Sequence, residues 1–129
     1  MIFVDTNVIM YAVGRKHPLR EESRAFFQAA LGGGRVGLCT SAEVLQELLH
    51  AYIPVDRWQT LDAALTLAES CIPTVHTIGA EDVRAARLIA ASRPQLGARD
   101  LIHLAVCRRH GVDEIKTFDR ALAAAFGGA

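Results

Sequence analysis

The chain has 129 residues, 51% hydrophobic and 22% charged, which excludes a disordered polymer and suits one domain with a true core. Fourteen Lys and Arg balance fourteen Asp and Glu, so net charge offers no attraction to nucleic acid or membrane. Any polyanion must meet a local patch.

The opening run Met1-Ile2-Phe3-Val4 reads as a strand over Ile2–Asp5, and Asp5 interrupts it too early for a secretory leader. Thr6 and Asn7 precede the apolar helix start Val8-Ile9-Met10-Tyr11. Pro18 fits the first turn of a helix through Leu31, which Gly32-Gly33-Gly34 ends. A second strand is expected over Val36–Thr40, followed by a helix with the apolar face Val44, Leu45, Leu48, Leu49 and Tyr52. Further helices are expected over Arg57–Cys71, Ala80–Ser92 and Ala98–Arg109, the last two parted near Pro94 and Gly97. Strands over Thr74–Ile78 and Glu114–Phe118 alternate with them, and Arg120–Phe126 is helical by propensity. Short apolar runs between helical stretches predict an α/β fold with a parallel sheet, a single domain over 1–129. No run approaches the length of a membrane span. Cys39, Cys71 and Cys107 lack C-x-x-C spacing and form no zinc pattern with His76, His103 or His110, which suits reduced thiols in the cytoplasm.

Asp5, Glu47, Asp100 and Asp119 fall where the chain switches between elements. In an open parallel sheet such positions line the ligand crevice at the strand carboxyl ends. Two like charges about 4 Å apart repel by roughly 4 kcal/mol at an effective dielectric of 20, so four gathered acids call for a divalent cation. Each acid also has a structural reading. Asp5, Asp100 and Asp119 suit helix starts, where aspartate caps or meets the dipole. Thr40 with Glu43 matches a capping box, which gives Glu43 a structural task. Glu47 lies about 40° nearer the apolar face than Glu43 and is the better candidate ligand. His103 is expected on a helix face rather than as a catalytic base, because metal-activated water needs no imidazole. Thr6, Asn7 and Thr117 are expected to orient the carboxylates.

The segments Val4-Asp5-Thr6-Asn7-Val8, Ser41-Ala42-Glu43-Val44-Leu45-Gln46-Glu47-Leu48, Arg99-Asp100-Leu101-Ile102-His103-Leu104-Ala105 and Thr117-Phe118-Asp119 occur in an order that resembles the PIN-domain ribonucleases. The likeness is to the small VapC-type toxins of prokaryotic toxin–antitoxin pairs and spans essentially the whole chain. It implies a three-layer α/β/α fold with a short central parallel sheet of about four strands; in one departure from the family the chain stops soon after Asp119, so a fifth edge strand is expected to be absent or very short. It also implies Mg²⁺, or Mn²⁺, on Asp5, Glu47, Asp100 and Asp119. It further implies an RNA substrate, a homodimer, and a small VapB-like antitoxin that blocks the acidic site and binds operator DNA through its other end.

The function expected is therefore a metal-dependent endoribonuclease acting as a toxin. The clusters Arg15/Lys16/Arg20/Arg24, Arg84/Arg87/Arg93/Arg99 and Arg108/Arg109 are candidate RNA contacts, though any single arginine is more often solvated surface. The alternative is a PIN-like module that holds RNA or protein without cutting, against which all four acids argue. A doubly wound phosphatase fares poorly, because Asp5-Thr6-Asn7 lacks the second aspartate of D-x-D. A P-loop enzyme is excluded, because no Gly-Lys-Ser/Thr follows Gly32-Gly33-Gly34.

Overall fold

The computed structural model describes residues 1–32 and 37–127. Four short strands, β1 (Ile2–Val4), β2 (Leu38–Ser41), β3 (Thr74–His76) and β4 (Glu114–Lys116), form a parallel sheet in the order β3-β2-β1-β4. Around them run α1 (Thr6–Val13), α2 (Pro18–Leu31), α3 (Ala42–Tyr52), α4 (Trp58–Cys71), α5 (Ala80–Ala90), α6 (Ala98–Arg109) and α7 (Arg120–Gly127). A 3₁₀ turn, Ile53–Val55, joins α3 to α4.

Parallel strands need helices on both faces of the sheet, and the core divides accordingly. One apolar cluster gathers Val8, Phe27, Val44, Leu48 and Leu61 from α1–α4 with strand residues of β1 and β2. A second gathers Ala86, Ile89, Leu104 and Ala125 from α5–α7. Central β1 is buried on both sides: Phe3 and Val4 are both fully enclosed. Phe3 packs its ring 5.4 Å from that of His103 on α6.

The expected α2 and α6 match the structure end to end, because Pro18 opens one and Gly97 and Arg109 bound the other. The strands are one or two residues shorter than expected, except that β2 runs on to Ser41. Val36, together with Gly33, Gly34 and Arg35, lies outside the described residues, so the start expected for β2 and part of the glycine stop do so as well. Gly32 itself caps α2, its N–H donating to the Gln28 carbonyl at 3.0 Å. The cysteines are free and buried.

The expected capping box at Thr40 and Glu43 does not form. Ser41, not Thr40, stands at the cap of α3 and makes no side-chain cap hydrogen bond. The Thr40 hydroxyl is committed elsewhere, donating to the Val4 carbonyl at 2.9 Å across the β1–β2 pair. A genuine reach-back appears at α5 instead, where Asp82 accepts from the Gly79 N–H at 2.9 Å. Asp82 is also clamped by Arg109 at the end of α6, at 2.7 and 2.9 Å.

From β1 the chain moves outward through β2 and β3, then returns to place β4 on the other side of β1. Strand order thus reverses between β1 and β4, and a crevice opens beyond their carboxyl ends.

Candidate metal centre at the sheet switch point

Asp5 follows β1 directly, and its backbone N–H donates to the Lys116 carbonyl at 3.0 Å, locking the end of β1 to the end of β4. The side chain caps α1: Oδ1 accepts from the Thr6 N–H at 2.8 Å. Oδ2 accepts from the Thr117 hydroxyl at 2.6 Å. Capping and site-building are therefore the same geometry here.

Thr117 is the junction of this wall. While donating to Asp5, its hydroxyl accepts from the Asp119 N–H at 3.0 Å and from Asn7 Nδ2 at 3.4 Å. Asn7 Oδ1 in turn accepts from the Phe118 N–H at 3.3 Å. Asp119 caps α7 by accepting from the Leu122 N–H at 3.1 Å. The Thr6 hydroxyl donates across to Glu47 Oε2 on α3. Thr6, Asn7 and Thr117 thus each bond to one of the acids or to the segment carrying it.

A depression of about 260 Å³ is lined by Asp5, Glu47, Asp100 and Asp119, with Arg99 and His50 beside them. Glu43 is not part of it, in keeping with its position on the helical wheel. The four sequence-selected acids are therefore brought to one crevice. A larger groove of about 580 Å³ between α1, α2 and α4 has Asp62 as its one acid among the described residues and lies away from this centre.

His103 is the residue that sequence reasoning underrated. It is fully enclosed, with Nε2 2.9 Å from Glu47 Oε1 and 3.8 Å from Asp5 Oδ1. Its signal was the Asp100-x-x-His103 spacing, which puts both on one side of α6. Asp5, Glu47 and His103 each present a ligand atom, all within 4.8 Å of one another.

The electrostatics show how this cluster tolerates its charge. Burial pushes the Asp5 carboxyl above its ordinary value, against the hydrogen bond from Thr117. Burial raises Asp100 too, and the charges of Asp5 and Asp119 add to it, bringing the carboxyl to about 6. Glu47 goes the other way. Burial would raise it, but the hydrogen bonds from His103 and Thr6 together hold it below its usual range. Burial would lower His103, yet the hydrogen bond and charge of Glu47, with Asp5 and Asp100 behind, raise it. Hydrogen bonds thus ease the charge on Glu47, while burial and the neighbouring carboxylates press on Asp5 and Asp100.

The PIN domain family model matches residues 2–126. The chain belongs to the PIN domain family. Among relatives of this PIN domain, ribonuclease VapC23 of Mycobacterium tuberculosis H37Rv is 56% identical over 126 residues, covering 98% of each chain. Ribonuclease VapC13 of the same organism is 37% identical over 120 residues, covering 93% of this chain and 91% of the relative. A crystal structure of Mycobacterium tuberculosis VapC20, titled a sarcin-ricin loop cleaving toxin, superposes with a TM-score of 0.73 at 19% identity, covering 97% of this chain and 95% of that one. That likeness bears on the fold, and the three-layer PIN arrangement is shared.

Proposed function

We propose that this PIN domain, acting as one unit over residues 1–129, is a Mg²⁺- or Mn²⁺-dependent endoribonuclease and the toxin of a toxin–antitoxin pair. The observation that carries the reading is the lining of one switch-point crevice by Asp5, Glu47, Asp100 and Asp119. The VapC ribonucleases that it resembles over nearly their whole lengths support the same class of reaction.

The donor set fits a hard cation. Carboxylate oxygens suit Mg²⁺ and Mn²⁺, and burial, with repulsion from neighbouring acids behind it, raises the Asp5 and Asp100 carboxyls, a penalty on their ionised forms that a cation would offset. Asp5, Asp100 and Asp119 would hold the ion directly. Bound there, it would supply the Lewis acidity that sharpens a water nucleophile and offsets charge on the scissile phosphate.

The chain's own residues do the remaining work. Thr117 and the Thr6 N–H fix both oxygens of Asp5 before any ligand arrives. His103 and Thr6 hold one oxygen each of Glu47, keeping it ionised and aimed so that it can ligate or orient the attacking water. His103 is a positioning residue rather than a ligand, since its Nε2–H is spent on Glu47 and the ring is enclosed. Arg99, exposed at the crevice, is placed to meet a phosphate.

The partner implied is a small VapB-like antitoxin whose basic side chain plugs the acidic crevice, with a homodimeric toxin as the assembly. Sequencing of RNA ends after brief induction in cells, with Asp5→Ala as control, tests activity and names the target. New discrete ends in the wild type alone are expected. Identical ends in both, or purified activity that persists in EDTA, would overturn the reading.

A further inference from the structure

Beside the acidic crevice, and sharing Asn7 and Met10 with it, lies a second pocket of about 690 Å³ with the opposite character. Its walls include Tyr11, Arg15, Lys16, His17, Tyr52 and Arg57, and among the described residues no carboxylate lines it. We propose that this pocket is a nucleotide subsite that takes one unpaired RNA base and its adjoining phosphate next to the bond being cut. The choice of RNA as ligand rests on the nuclease reading; the pocket's own chemistry narrows it to a base with a phosphate.

The aromatic wall is built and held. Tyr11 lies 4.6 Å from the His17 ring at a tilt of 33° and meets Phe118 edge-on at 5.5 Å. Phe118 stands between Thr117 and Asp119, so the same short segment shapes both pockets. His17 is fixed as the cap of α2, its Nδ1 accepting from the Leu19 N–H at 3.1 Å. That acceptor role leaves Nε2 as the proton-bearing nitrogen, free to donate to a base edge.

The basic wall comes from two separate turns. Arg15 and Lys16 are exposed on the link between α1 and α2. Arg57 follows Asp56, which adopts a left-handed conformation at φ 56°, and its N–H donates to the Tyr52 carbonyl at 3.1 Å. Its guanidinium lies 5.8 Å from the Tyr52 ring centre and also donates to Thr60 at 3.3 Å. Stacking faces combined with cations are how single-stranded nucleic acid is held without duplex structure. An apolar peptide side chain would have no use for three cations, and an acidic one no use for the ring wall.

The contiguity with the acids gives the subsite its role. A strand whose scissile phosphate sits at Asp5 and Asp100 continues past Asn7 and Met10 into this pocket, so the occupant is a flanking nucleotide and the pocket reads its identity.

The test is binding of labelled single-stranded RNA oligomers in EDTA, where cleavage is off, by fluorescence anisotropy. Tyr11→Leu should weaken binding about ten-fold, whereas Tyr11→Phe, which keeps the ring, should match wild type. Oligomers made abasic at one position at a time keep the protein unaltered. One such position should cost wild type the same factor and cost Tyr11→Leu nothing further. Arg57→Gln should lower the salt dependence of the affinity by about one phosphate contact. Equal affinity of wild type and Tyr11→Leu, or no abasic position whose effect depends on Tyr11, overturns the subsite, even if Mg²⁺-dependent cutting is intact. Conversely, Tyr11-dependent binding in a protein that never cuts with Mg²⁺ sinks the nuclease reading and leaves the pocket standing.

Discussion

With Nε2 donating to Glu47 and no exposure to solvent, His103 ties the charge state of α6 to that of α3. Removing it strips Glu47 of a hydrogen-bond donor in a poorly solvated place. His103→Ala should therefore lower cleavage by about 10–100-fold, as loss of groups that orient metal-site carboxylates does, with His103→Gln recovering part of it. Steady-state kinetics at saturating Mg²⁺ checks this; unchanged rates in His103→Ala would refute the positioning role. Asp100 makes a pH prediction. Its carboxyl sits near 6 against an ordinary 3.8, so the folded state holds that proton more tightly than the unfolded state. The stability it contributes without metal is full below 3.8 and is lost as pH rises through about 6. Metal binding needs the ionised form, so Mg²⁺ protection should grow across that window, and thermal melts with and without Mg²⁺ at pH 5 and pH 8 would measure it. Asp5, Asp100 and Asp119 were legible because an acid at a strand end or helix start is conspicuous after an apolar run. His103 was not, because a histidine in an all-round apolar helix has the same sequence signature whether it packs or bonds.

The element that places Glu47 is α3, and its hold on the core is Val44 and Leu48, both fully buried. Leu48→Ala should cost about 2–5 kcal/mol, measurable by urea unfolding, because the site is closed on every side. A cost near zero would mean that α3 is not anchored as described. On the far face, the Arg109 clamp and the Gly79 N–H hold Asp82 below its ordinary carboxyl value. A depressed value means that the stabilisation is present above 3.8 and fades as pH falls through the lower folded value. Asp82→Asn should thus lower Tm at pH 7 and differ less from wild type in acid. Helix positions were readable because Pro18, Gly32, Pro94 and Gly97 punctuate the chain. The cap of α3 was misread since a Thr-x-x-Glu spacing cannot reveal that a neighbouring strand has already claimed the threonine hydroxyl. The clamp between Asp82 and Arg109 joins residues 27 positions apart and had no local trace. The same clamp removes Arg109 from the candidate RNA contacts, and Arg24, bound to the Ala12 carbonyl at 2.9 Å, is likewise committed to the fold.

At the scale of the molecule, equal numbers of basic and acidic side chains are sorted in space: an acidic crevice at the switch point, a basic and aromatic pocket beside it. RNA affinity should accordingly fall as salt rises from low to physiological levels, despite zero net charge. Affinity indifferent to salt would contradict that sorting. The order β3-β2-β1-β4 was not readable in the sequence, because a linear pattern names strands without saying which are neighbours. Once β4 lies beside β1, acids more than a hundred residues apart become partners. The most direct test of the proposed metal centre is Mn²⁺ binding at neutral pH, followed by electron paramagnetic resonance on the wild type, Asp5→Ala and Asp100→Asn. Saturable binding to the wild type is expected, weakened by at least an order of magnitude in either variant. Equal binding by all three proteins, or none by the folded wild type, would contradict a cation site built from these acids.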